Sequence, residues 1–182
     1  MIRPYGSWPS PIRADQLAQA ALRLAQPRVF GDSVSWLEGR PAEGGRQQVV
    51  SAEEAFGASP RLVPRSPETA NVRTRVHEYG GGDYLPDGDR LFYVDFADQR
   101  VYACRGEAQV AVSPPGPRYA DFALAPGRDW LLAVEERPSD DGEPENRLVA
   151  FQLPAHGLPL GPSTPQPVAK GADFYLSLIH IS

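Results

Sequence analysis

Cysteine is almost absent from this sequence. Cys104 stands alone, so no intrachain disulfide can staple the fold, and a single thiol fits a reducing, cytoplasmic compartment. Long apolar runs are missing too. None approaches the roughly 20 residues of a membrane-spanning helix, and the N-terminal region holds no basic start followed by an apolar core, as a secretory signal would. The expectation is a cytoplasmic protein without membrane contact. Positive charge is also in deficit: 18 Lys and Arg against 23 Asp and Glu leave a formal net charge of −5. No basic stripe runs along the chain, which argues against nucleic acid as a partner. Histidine is limited to His77, His156 and His180. Asp87, Asp89, Asp140 and Asp141 lie in turn regions without the spacing of a calcium loop. Neither a metal nor a cofactor is expected.

What is present is a soluble globular composition, 41% hydrophobic and 23% charged over 182 residues, enough for one domain with a real core. The 20 prolines and 17 glycines punctuate short apolar runs instead of gathering in one tract, as an all-β domain with many turns requires. One helix is expected, over 14–25, where Leu17, Ala20, Ala21 and Leu24 fall at helical spacing and Pro27 ends the run. The rest reads as strands and turns. A Gly-Asp turn leads into a strand twice, at Gly31-Asp32 and at Gly88-Asp89. The second copy recurs 40 positions on, with Pro86, Asp89, Leu91 and Val94 matching Pro126, Asp129, Leu131 and Val134.

A repeat of that length, all strand and turn, suits the four-stranded blade of a β-propeller. Leu91 to Phe96 carries large apolar groups on both alternating faces, which a sheet with one wet face would not. Stacked blades cover a middle strand on both sides. The predicted fold is therefore all-β, a partial β-propeller of about three four-stranded antiparallel blades at 27–67, 76–114 and 118–170. Residues 1–26 form an N-terminal extension with the helix, and the incomplete propeller runs over 27–175. Three blades cannot close a ring, so apolar blade faces are expected to be exposed.

Several stretches carry a resemblance: 4–12 (PYGSWPSPI), 36–46 (WLEGRPAEGGR), 96–102 (FADQRVY), 118–121 (RYAD) and, most specific, 71–82 (NVRTRVHEYGGG). Over 3–175 the chain resembles bacterial serine peptidases of the prolyl oligopeptidase family, the dipeptidyl aminopeptidase and acylaminoacyl peptidase type. The resemblance implies an N-terminal propeller that filters short peptides on their way to a C-terminal α/β-hydrolase domain, its partner, bearing a Ser-Asp-His triad. No G-x-S-x-G nucleophile elbow occurs here, so no catalytic residue is assigned and the piece by itself is expected to be inactive. The last residues, 176–182, do not continue as such proteins do and read as a non-native tail, in which His180 has no chemical role.

Candidate funnel residues are Arg73, Arg75, His77, Glu78, Glu135 and Glu136. Alternation in 71–77 places Asn71, Arg73, Arg75 and His77 on one face, which an innermost strand would turn to the tunnel. The competing and preferred reading is packing: Arg and Glu pair between blades, and the glycines let backbones approach. Glu135-Glu136 invites comparison with a carboxylate pair that holds a peptide's ammonium group, but a solvated pair at a strand end is preferred. Cys104 reads as a small core residue, and Trp8, Trp36 and Trp130 as packing residues. Two other functions stand beside the peptidase reading. One is a stand-alone propeller binding module without chemistry. The other is a metal-dependent enzyme at the propeller axis, for which no set of inward ligands is found.

Overall fold

The computed structural model describes residues 4, 22–139 and 142–175. Three four-stranded antiparallel sheets follow one another along the chain, each in simple sequence order. The first holds β1 (Arg23–Phe30), β2 (Ser33–Arg40), β3 (Arg46–Glu53) and β4 (Arg61–Pro64). The second holds β5 (Tyr84–Asp87), β6 (Arg90–Val94), β7 (Val101–Arg105) and β8 (Ala108–Ala111). The third holds β9 (Arg118–Leu124), β10 (Trp130–Arg137), β11 (Glu145–Gln152) and β12 (Gln166–Lys170). The first strands of the three sheets, β1, β5 and β9, pack against one another in that order. They form the inner edge of a partial propeller, and the sheets radiate from it as blades.

Turn chemistry sets the hairpins. Gly31 and Gly88 open two-residue turns with φ of 60° and 64°, a left-handed conformation glycine adopts without steric cost. Register then decides which side chains meet. In β6, Leu91 and Tyr93 join Leu37 and Val49 of the first blade, with Tyr84 and Cys104, in one core. Phe92 and Val94 join Tyr119, Leu131, Val149 and Phe151 of the third blade in another. Every residue of β6 is buried. This is why the strand shows no polar alternation: each face belongs to a different interface. Burial of each such side chain contributes roughly 1.5–3 kcal/mol.

The outer face of the first blade is different. Leu24, Val29 and Leu62 share it by register with Glu38, Val34 and Ala52, and all three are exposed. Apolar groups are thus left open on a blade face.

The expected helix over 14–25 fares otherwise. Residues 14–21 lie outside the described residues, and 23–25 are strand, not helix. Pairing with β2 outweighs the helical spacing, and Ala25 packs on the core between the first two blades. Pro27 does not end the element. It sits in a bulge between Ala25 and Arg28, where its missing N–H breaks no ladder bond. Trp8, Asp140, Asp141 and the tail at 176–182 also lie outside the described residues.

Candidate functional site

Between the first two blades, residues 71–83 form a strap along the inner edge. Only Val72 pairs in a ladder, through a single bridge to Asp95; the innermost strand of the second blade is β5, not 71–77. Alternation holds nonetheless. Val72, Thr74 and Val76 are buried, while Arg73 and Arg75 point out. Both guanidinium groups lie over the Phe96 ring, at 5.2 and 4.4 Å from its centroid.

At its tip the strap turns sharply. His77 and Glu78 take φ of 54° and 59°, and Gly80 follows at 84°. Two consecutive non-glycine residues in the left-handed region cost about 1–2 kcal/mol each, so something must hold them. Local bonds do part of it: Glu78 N–H donates to the Arg75 carbonyl at 2.9 Å and Gly80 N–H to that of Val76 at 3.0 Å. The third blade does the rest. Glu136 Oε2 accepts the His77 backbone N–H at 2.7 Å and lies 3.4 Å from His77 Nδ1. His77 Nε2 stands 3.3 Å from the Tyr175 carbonyl, with its ring edge-on to Phe174.

Glu136 is 2% exposed, and its other oxygen accepts from Arg118 Nη1 at 3.0 Å. The same nitrogen donates to Glu78 Oε1 at 2.5 Å. That hydrogen bond, and then the charge of Arg118, holds the Glu78 carboxyl below the usual carboxylate range. Arg118 therefore joins a buried carboxylate to an exposed one. Beyond it Tyr79 is 95% exposed.

Glu135 faces the other way, as neighbours on a strand must. Its Oε1 accepts from Arg147 Nε and Nη2 at 3.1 and 2.8 Å and from Arg137. Its Oε2 is buried with no hydrogen-bond partner among the described residues, and its cross-strand neighbour Tyr119 is fully buried. The expected solvated pair is thus corrected: both glutamates are buried, because arginines from β9, β10 and β11 neutralise them.

Deeper on the inner edge, the first strands of the outer two blades interlock with the strap. Gln26 Nε2 donates to the Gly81 carbonyl at 2.9 Å and to Asp83 Oδ2 at 2.5 Å, while Gln26 Oε1 accepts from the Asp83 N–H at 3.0 Å. Asp83 Oδ1 accepts from Thr74 N–H, and Asp121 Oδ1 accepts from Gly82 N–H at 2.6 Å. Burial raises the Asp83 pKa to about 6, against the pull of the Thr74 and Gln26 bonds. Gly81 and Gly82 are needed here. A Cβ on Gly82 would stand 2.9 Å from Asp121 Oδ1 and 3.1 Å from the Arg28 guanidinium, and one on Gly81 would stand 2.9 Å from Ala120 Cβ.

The structure thus brings His77, Glu78 and Glu136 together, sets Arg73 and Arg75 on Phe96, and places Glu135 on the opposite face. Arg118, Gln26, Asp83 and Asp121 carry no role in the sequence reading. RYAD at 118–121 was a matched stretch, but cross-blade pairing has no sequence signature. Asp87 is more than a turn residue: it is buried and paired with Arg90 and Arg128. Cys104 sits in the core, its thiol pushed up to about 12 by burial. Among the described residues no three His, Cys, Asp or Glu are grouped to hold a metal, and no helix is long and apolar enough to cross a membrane.

No protein-family model and no curated protein matches the sequence. Solved structures do. A puromycin-hydrolyzing peptidase of Mycobacterium tuberculosis is 33% identical, with a TM-score of 0.79 over 95% of this chain and 28% of that one. A puromycin hydrolase complexed with PGG is 32% identical, with a TM-score of 0.69 over 82% of this chain and 25% of that one. A further puromycin hydrolase structure is 33% identical, with a TM-score of 0.66 and the same coverage. The chain spans about a quarter of the length of these peptidases. These structural neighbours are peptidases of the prolyl oligopeptidase family, and this chain matches about a quarter of them as a partial β-propeller.

Proposed function

We propose that these blades belong to a cytoplasmic serine peptidase, where they gate the passage of short peptides to an α/β-hydrolase domain that carries the chemistry. One observation carries this reading: the 33% identity to a puromycin-hydrolyzing peptidase over 95% of the chain, with a strained, cross-braced loop at the inner edge. Gating requires a rim that keeps its shape while substrates pass. The His77-Glu78 turn fits that need, because two left-handed residues persist only where the surroundings over-determine them. Residues 1–182 contain no G-x-S-x-G nucleophile elbow, so this piece is non-catalytic in the proposal. The buried free thiol of Cys104 suits a reducing compartment.

The test is the reading frame beyond Tyr175, followed by assay. A serine elbow with a downstream acid and histidine is expected, together with hydrolysis of aminoacyl or acylaminoacyl substrates by the longer protein only. Further blades and then a stop codon would instead make the chain a binding module. Robust turnover by purified 1–182 would reject the division of labour.

A further inference from the structure

We propose that Arg73 and Arg75, stacked on Phe96 beside the cleft between the first two blades, form a binding site for a peptide carboxylate. Two observations carry it. The first is a pair of like charges that no carboxylate contacts among the described residues. Both guanidinium groups lie within 5.2 Å of one ring centroid, both residues are exposed, and neither group makes a hydrogen bond or ion pair among the described residues. Other arginines are paired with carboxylates: Arg118 has Glu136 and Glu78, Arg137 and Arg147 have Glu135, Arg40 has Glu38 and Arg46 has Glu43. Asp83 and Glu78 are felt by Arg73 and Arg75 only through space.

The second observation is the cleft. It encloses about 380 Å³ between the Pro41 turn of the first blade and the strap, with Arg23, Gln47, Arg73, Tyr79 and, at its inner end, Asp83 among its walls, while Arg75 and Phe96 stand outside it. That is within the range of small-ligand sites, roughly 300–1,000 Å³. Arg23 adds a third positive charge there, and exposed Tyr79 offers an aromatic surface. Stacking on Phe96 fixes the planes of the arginines and keeps them weakly hydrated. A carboxylate would then be met by preorganised, charge-assisted donors.

The site rests on the reading of these blades as a peptide filter, and it selects peptides that present a C-terminal carboxylate. The experiment is calorimetric titration of the full 1–182 chain with three probes at low salt. These are an N-acetylated tetra-alanine with a free carboxylate, its C-terminal amide, and an amidated tetrapeptide with one internal aspartate. The free-carboxylate peptide should bind, and the plain amide should bind at least tenfold more weakly. Binding by the aspartyl amide equal to that of the free acid would assign the site to acidic side chains, overturning the terminal preference. R73Q/R75Q should abolish the discrimination while Arg105→Gln, at an exposed pair with Asp89, keeps it. Phe96→Leu should weaken it with both arginines still present. Equal binding of acid and amide, no binding of either, or unchanged binding by R73Q/R75Q would each overturn the proposal. A missing serine elbow downstream would reject gating and leave this measurement untouched, so the two failures are distinguishable.

Discussion

Removing the carboxylate of Glu136 tests what holds the strap in its strained shape. In the folded chain this side chain accepts the His77 N–H and the Arg118 guanidinium while almost fully buried. Breaking a fully buried ion pair costs about 3–5 kcal/mol. Arg118 is 23% exposed and keeps Glu78 as a partner, so the charge term for Glu136→Ala falls to the low end, about 3 kcal/mol. Without the anchor, the two left-handed residues have about 2–4 kcal/mol of backbone strain to relieve. The strap tip should therefore open before the blades unfold. Glu136→Gln keeps an acceptor for His77 N–H and loses only charge assistance, about 1 kcal/mol. Amide hydrogen exchange at 77–80, read by mass spectrometry beside denaturant unfolding of the whole chain, separates the two effects. Glu136→Ala should lose roughly a hundredfold protection there, equivalent to about 3 kcal/mol, and Glu136→Gln several-fold. Protection at 77–80 equal to wild type in Glu136→Ala would refute the anchoring argument, whatever global stability did.

Three further outcomes are expected. Asp83 is raised to about 6 in the fold from an unfolded value near 3.8, so its stabilising contribution is present below about pH 4 and is lost as pH rises through about 6, on the order of 3 kcal/mol at most. The stability difference between wild type and Asp83→Asn should change across that window; parallel curves from pH 4 to 8 would contradict the assignment. Gly82→Ala should destabilise by about 1–3 kcal/mol through overpacking against Asp121 and Arg28, measured by urea melts. Gly106→Ala, which meets no neighbour and only forces φ of 57° on alanine, should cost about 1 kcal/mol. Cys104 should resist alkylation at pH 8 in the native chain and react at once in denaturant, since burial raises its thiol to about 12; rapid native labelling would place the thiol outside the core.

Much of the fold was legible because propeller blades are local objects. Each hairpin is closed by a turn within a few residues, and the Gly-Asp turns with β-branched or aromatic runs mark them directly. The double-faced apolar pattern of Leu91 to Val94 also pointed to a middle strand covered on both faces, which stacked blades provide. The helical spacing near the N-terminus misled at 23–25, where pairing between Arg23–Phe30 and Ser33–Arg40 overrides a weak local propensity.

The candidate site was less legible. Sequence alternation put Asn71, Arg73, Arg75 and His77 on one face. The two-residue period of extended backbone keeps Arg73 and Arg75 exposed together, but the chain turns at His77 and its side chain is 5% exposed. Alternation could not show that both arginines would rest on Phe96, more than 20 residues on. Nor could it show that Glu136 would brace His77 across 59 positions, or that Arg118 would join a carboxylate of the strap to one of the third blade.

The amino-acid order alone thus determined most of the strands and turns and the two-sided apolar pattern of 91–94, because those depend on neighbours in the chain. Only the tertiary structure decided which charges are buried and which stand free. Burial of Glu135 and Glu136 becomes affordable when arginines from other strands arrive at the right distance, and that meeting is a matter of blade geometry.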